Sequence, residues 1–216
     1  MIFKNREEAA YQLAEKLKEY KGRNPLILAI PRGAVPMARI ISDALEGEMD
    51  VVLVHKLRAP FQPELAIGSV DETGQTFLNK NMQGIDITHS YILKEKEAQI
   101  EMLRKRRARY TPIHTPISPT NRIVVIVDDG IATGSSMIAA LHVVRVKNPK
   151  KLVAATAVAP FDSLQVIREL ADDTVCLEVP ADFMAVGQFF EEFSQVSDDE
   201  VIAILQGKVS KSSATQ

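Results

Sequence analysis

Short aliphatic runs and amphipathic stripes alternate along the 216-residue chain, and their order predicts an α/β fold with a parallel sheet flanked by helices. Asn5 stands before Arg6-Glu7-Glu8 as an N-cap with acids in the first helical turn. Apolar residues at Ala9, Ala10, Leu13, Leu17 and Tyr20 then carry a helical stripe to Gly22. Residues 26–30 read as a short buried strand, 35–45 as a helix and 49–54 as the next strand. After an extended stretch over 59–64, residues 65–70 and 75–78 read as a hairpin turned through Asp71-Glu72-Thr73-Gly74. Residues 88–109 form a long charged helix, and Pro112, Pro116 and Pro119 punctuate the connection after it. Val124-Val125-Ile126-Val127 is a buried strand, and Met137 to Leu141 a helix-forming run. A strand over 152–158, a helix over 163–171 and a last strand over 174–179 complete the core. No internal repeat interrupts this order, so residues 1–209 are expected to form one domain, with a frayed polar tail over 210–216.

Composition narrows the class. A hydrophobic content of 46% over this length supports one substantial core, and a net charge of -2 argues against broad electrostatic binding to nucleic acid. The basic run Arg104-Lys105-Arg106-Arg107 has Glu95, Glu97 and Glu101 within helical reach and no interleaved aromatic platform, so it reads as a salt-bridged solvated helix. A single Cys176 cannot form an internal disulfide, and in its strand it reads as a small buried hydrophobe. The N-terminus lacks the apolar core of a signal peptide and no apolar run approaches the roughly 18 residues of a membrane span, so a cytoplasmic protein away from the membrane is expected.

The chemistry concentrates where the aliphatic strand 124–127 runs into Asp128-Asp129-Gly130-Ile131-Ala132-Thr133-Gly134-Ser135-Ser136. Small residues opening into a helix N-terminus leave backbone amides free for an anion, and Thr133, Ser135 and Ser136 add hydroxyl donors. Gly130, Gly134 and Ala132 are expected to keep side chains out of the anion's way. Two carboxylates beside a bare phosphate would repel it, yet they suit sugar hydroxyls and a magnesium ion. A phosphorylated sugar with bound magnesium satisfies both halves. A dinucleotide fingerprint would need a third glycine, and a Walker loop a lysine after Gly134; neither is present.

This motif resembles the phosphoribosyl pyrophosphate signature of type I phosphoribosyltransferases, and within that family the chain is similar to a branch of unassigned substrate. The resemblance runs from near Phe3 to near Leu205. It implies a Rossmann-like core, a small hood over about 180–205 with a contribution from the N-terminus, magnesium as cofactor, and a homodimer. By the same resemblance Asp128 and Asp129 lie along the ribose and hold magnesium directly or through water, while residues 130–136 cradle the 5-phosphate. Pro31-Arg32-Gly33 resembles the family's pyrophosphate loop, in which the peptide before Arg32 is the candidate for a non-proline cis bond. Lys56, with Arg58, at the end of the 49–54 strand resembles the lysine of a flexible catalytic loop that contacts pyrophosphate. Glu64 either positions the acceptor or is a surface charge. Four of the eight phenylalanines fall in residues 183–193, and Phe183, Phe189 and Phe190 either stack on a flat acceptor or pack the hood.

The implied activity is displacement of pyrophosphate from phosphoribosyl pyrophosphate by a nitrogenous acceptor, a nucleobase or related compound. Ala132 stands where hypoxanthine-guanine members carry an aspartate, which weakens a 6-oxopurine assignment. The rival reading is a regulatory protein that binds phosphoribosyl pyrophosphate or a nucleotide without turnover.

Overall fold

The computed structural model describes residues 2–60, 62–78, 88–110 and 116–207, with only the backbone of 62–66. Pro112 and the tail expected over 210–216 lie outside the described residues. Five strands form an all-parallel sheet in the order β2-β1-β6-β7-β8: β1 Leu26–Ala29, β2 Glu48–Val51, β6 Ile123–Asp128, β7 Lys151–Val158 and β8 Asp173–Glu178. Helices α1 Arg6–Lys16 and α2 Ala34–Leu45 cover one face, and α4 Ser135–Arg145 and α5 Phe161–Leu170 the other.

β6 shows how the two faces are built. Side chains of a strand point alternately to opposite sides, and both sides of β6 are covered, so the whole run is apolar. Val125 and Val127 enter the cluster with α1 and α2, whereas Val124 and Ile126 enter the cluster with α4 and α5. All four are fully buried. Asn5 caps α1 by accepting the Glu8 amide at 3.1 Å, and Ser197 with Glu200 closes a capping box on α6 Asp198–Leu205.

The chain first runs β1 to β2 on one side and then β6 to β8 on the other. The carboxyl ends of β1 and β6 are therefore neighbours across the point where strand order reverses, where such sheets open a crevice for ligands.

Residues 49–54 do not make one strand. β2 ends at Val51, and β3 Val54–Ala59 leaves the parallel sheet to pair antiparallel with β4 Gln62–Asp71, which pairs with β5 Thr76–Leu78. The stretch 59–64 is therefore mostly paired arm. Hydrogen bonding along β3 and β4 satisfies backbone groups that an extended loop would leave to water. The arm docks on α4 and on α3 His89–Tyr110.

Arg107 of α3 joins the arm to the parallel sheet. It donates to Asp50 at 3.0 Å and Glu72 at 2.7 Å, with Arg107, Asp50 and Glu72 side chains 11%, 3% and 15% exposed. Its Nη2 also reaches the Val51 carbonyl at 2.9 Å. Lys105 pairs with Glu101 within the helix, but Arg109 crosses to Asp198 of α6. The basic run is thus partly an internal clamp. Among the described residues no helix is long and apolar enough to cross a membrane.

Cys176 is half-buried in β8, where its thiol donates to the Glu178 carbonyl at 3.1 Å and burial pushes its pKa up to about 11. Both the clamp and the buried thiol can be tested in solution. Arg107→Ala strands two buried carboxylates without their cation and is expected to cost about 3–5 kcal/mol in denaturant unfolding; a loss near zero would show the clamp to be dispensable. Cys176 is expected to alkylate at pH 8 roughly a hundredfold more slowly in the native protein than in denaturant, because the thiolate is the reactive form; equal rates would contradict its burial.

Candidate functional site

Two loops meet at the strand-order reversal. After β1 the chain passes through Pro31-Arg32-Gly33 into α2, and the Pro31–Arg32 peptide is cis. After β6 it passes through Asp128 to Gly134 into α4. The Ile131 amide donates to the Val158 carbonyl at 2.8 Å, and Ser163 of α5 donates to the Ala132 carbonyl at 2.7 Å. The loop is thereby clamped to β7 and α5. Gly134 sits at φ 77°, a left-handed conformation that a side chain would strain, and no side chain caps α4. The first-turn amides of α4 therefore face an open concavity of about 420 Å³, lined by Asp128 and residues 130–137. Thr133 and Ser135 hydroxyls lie 2.9 Å apart on its rim.

The two acids have different surroundings, Asp128 being the last residue of β6 and Asp129 the first beyond it. Asp128 lines the concavity. Burial, and then the charge of Asp129, pushes its carboxyl well above the usual range, while an amide bond from Asp129 at 3.0 Å partly offsets this. Asp129 turns instead toward α1, where Arg6 Nε donates to Oδ2 at 2.8 Å. The sequence pattern does not single out Arg6 as a site residue. It leaves only a trace: a cation at the first position of a helix opposes the helix dipole, so α1 itself gains nothing from it.

Two glycines also leave room for neighbouring protein. A Cβ on Gly33 would run into the Asp129 carboxylate, and one on Gly130 into the Val186 methyls of the hood. Both positions are bare because protein fills the space a side chain would need. Gly134 alone of the three carries a positive φ.

Arg32 is about a third exposed at its side chain and stands 4.0 Å from Asp198 of α6. Lys56 is not at the end of a parallel strand; it lies on the arm and lines a separate cavity of about 820 Å³ between arm, α4 and α5. Ser135 lines both cavities. Arg58 is exposed farther along the arm, where Tyr91 donates to its carbonyl at 3.0 Å, and its side chain lines neither cavity. Glu64's side chain lies outside the described residues.

The hood is built from both ends of the chain. Phe3 bridges Phe190 in parallel register, with the Phe3 amide donating to the Phe189 carbonyl at 2.8 Å and the Glu191 amide to the Phe3 carbonyl at 2.9 Å. Phe189 and Phe190 are buried, Phe190 packing on Phe3 with centroids 5.5 Å apart. Phe183, half-buried, stacks on Phe189 at 5.7 Å. Phe189 therefore supports the hood from beneath, which leaves Phe183 as the more accessible ring of the two. The sequence pattern could not separate them, because both sit in the same aromatic-rich segment.

Comparisons with known proteins bear on the family. Two Mycobacterium tuberculosis proteins, from different strains and provisionally named phosphoribosyl transferases, are each 40% identical over 205 residues, 94% of this chain. The chain spans 46%, about half, of the length of these curated relatives. The crystal structure of a Thermus thermophilus protein, TT1426, superposes with a TM-score of 0.90 at 40% identity, covering 96% of this chain and 99% of that one. The family model for the phosphoribosyl transferase domain matches residues 1–193, and the chain belongs to that family.

Proposed function

We propose that this chain transfers the phosphoribosyl group of phosphoribosyl pyrophosphate to a nitrogenous acceptor and releases pyrophosphate. The observation that carries the reading is the concavity where an uncapped helix N-terminus and the half-buried Asp128 face the same space. Amides at the start of α4, with the hydroxyls of Thr133, Ser135 and Ser136, take the 5-phosphate. Asp128 accepts hydrogen bonds from the ribose hydroxyls. In this reading pyrophosphate departs on the side of loop 31–33, at the end of the neighbouring strand, and Arg32 turns from Asp198 to meet its charge. Lys56 comes from the arm, in the neighbouring cavity that shares Ser135 with the concavity.

Magnesium fits this donor set. Among the described residues no three His, Cys, Asp or Glu side chains gather into a metal cage. Magnesium suits such a place because one or two carboxylates plus substrate phosphates are enough to hold it. Asp128, destabilised as an anion by burial and by Asp129, is the carboxylate a cation would relieve. When bound, the ion neutralises charge on the leaving pyrophosphate.

In the reaction the bond from the anomeric carbon to the pyrophosphate oxygen breaks and its electron pair leaves with pyrophosphate. The lone pair of the acceptor nitrogen forms the new bond, and the nitrogen's proton passes to solvent. Positive charge growing at the anomeric carbon is stabilised by the nearby carboxylate. Phe183 offers an aromatic face for a flat acceptor such as a nucleobase.

The test is pyrophosphate release from phosphoribosyl pyrophosphate and magnesium across purines, pyrimidines and small amines. Release with one acceptor class is expected, with Asp128→Asn lowering kcat/KM about a hundredfold. Tight binding of the donor without release from any acceptor would instead identify a sensor, and no binding would reject the reading.

A further inference from the structure

The cavity that Lys56 lines, about 820 Å³ between the arm, α4 and α5, is walled by matched rows of side chains. Register on the arm pairs Lys56 with Ser69 and Ser69 with Phe77, and residues directly opposite in an antiparallel pair share one face of the sheet. A cation, a hydroxyl and an aromatic ring therefore stand side by side on the face turned toward α4. That helix answers with Ser135, Ile138, Ala139 and His142, which recur at the spacing of a single helical face. α5 adds Val166 and Leu170, one turn apart. Phe77 and His142 stack across the boundary between arm and α4 with centroids 3.5 Å apart, which joins the two walls.

Most of these walls are apolar, and the polar groups have a clear order. Burial lowers the His142 pKa from its ordinary value, so its ring is uncharged near pH 7 and Lys56 carries the one full charge among the lining side chains. Among the described residues Lys56 has no carboxylate partner. Beside it in register, Ser69 is 3% exposed and its hydroxyl has no hydrogen-bond partner. A buried hydroxyl left unpaired is costly, and an acceptor atom beside Lys56 would satisfy it. We propose that this cavity binds a small hydrophobic monocarboxylate, with its carboxylate on the Lys56 ammonium and the Ser69 hydroxyl and its apolar body between α4 and α5. Ammonium and hydroxyl both donate, and an ionised carboxylate only accepts, so charge and hydrogen-bond sense agree. A doubly charged phosphate would meet the same single cation and then apolar walls, which favours the singly charged acid. The cavity is of the size usual for small-molecule sites. It shares only Ser135 with the phosphate concavity, and the proposal does not rest on the transferase reading.

Calorimetric titration of the full chain with 1-naphthoate and with octanoate, each compared with its neutral amide, tests the site. Saturable binding of one acid per chain is expected for at least one of the two, at least about tenfold tighter than its amide. Lys56→Met is expected to abolish that preference for the acid. Ser69→Ala is expected to weaken the acid about threefold with no loss of thermal stability, because the hydroxyl it removes has no partner within the protein. Val166 is exposed on the cavity wall, and Val166→Trp is expected to weaken acid and amide alike by at least about tenfold. Ser136 lines the phosphate concavity alone, so Ser136→Ala is expected to bind the acid as the wild type does. The proposal is overturned by no saturable binding of either acid, by equal affinity for acid and amide in the wild type, or by binding that Val166→Trp leaves untouched. A loss in Ser136→Ala equal to that in Lys56→Met overturns it too, because the acid would then sit at the phosphate loop. A second copy of the chain seated over the cavity would exclude both acids and give the first of these results.

Discussion

β6 is hydrogen-bonded on both edges and covered on both faces, and that confinement governs the rest of the molecule. A strand with no solvent side must be apolar throughout, which is why Ile123 to Val127 contains nothing else. The same confinement fixes side-chain direction residue by residue. When the run ends in two acids, one emerges over the α4 loop and the other over α1. β6 ends at Asp128, so the direction of Asp129 belongs to the bend that follows the strand. A cation had to be found for the acid directed at α1, since a buried carboxylate without a partner is costly. Arg6 is that cation, and its position at the helix start is intelligible only through Asp129.

The interlocking of the loops follows from close approach. Gly33 leaves space for the Asp129 carboxylate, and Gly130 leaves space for Val186, so the loop after β1, the loop after β6 and the hood share one surface. Clamping of the loop by Val158 and Ser163 presets the amides at the α4 N-terminus, so an anion bound there would not have to order them.

The parallel sheet is legible in the sequence because its strands are local events. Each is a short aliphatic run between turn residues, and the observed β1, β6, β7 and β8 fall within a residue or so of their expected spans. The strand-loop-helix order around residues 128–136 is legible for the same reason, being continuous in the chain. The arm is not. Val51-Val52-Leu53-Val54 is uniformly aliphatic, and nothing in composition marks the point after Val51 where the chain leaves one sheet and starts another. Lys56 accordingly lies in a cavity between arm and α4 and not at a parallel strand end. Arg107 has the sequence surroundings of a charge on a solvated helix, although Asp50 and Glu72 hold it under the arm.

Local sequence, then, carried the order of strands and helices, the capping of α1 and α6, and the position of the 128–136 loop between β6 and α4. These rest on backbone preferences and on periodicity, which act over a few residues. The partner of each charged or bare position emerged only on folding: Arg6 with Asp129, Gly130 with Val186, Phe3 with Phe190. Such pairs lie far apart in the chain, and nothing local distinguishes a surface arginine from one that will find a buried carboxylate. Packing of the sheet's two faces makes that choice, because it alone determines which side chains leave water together.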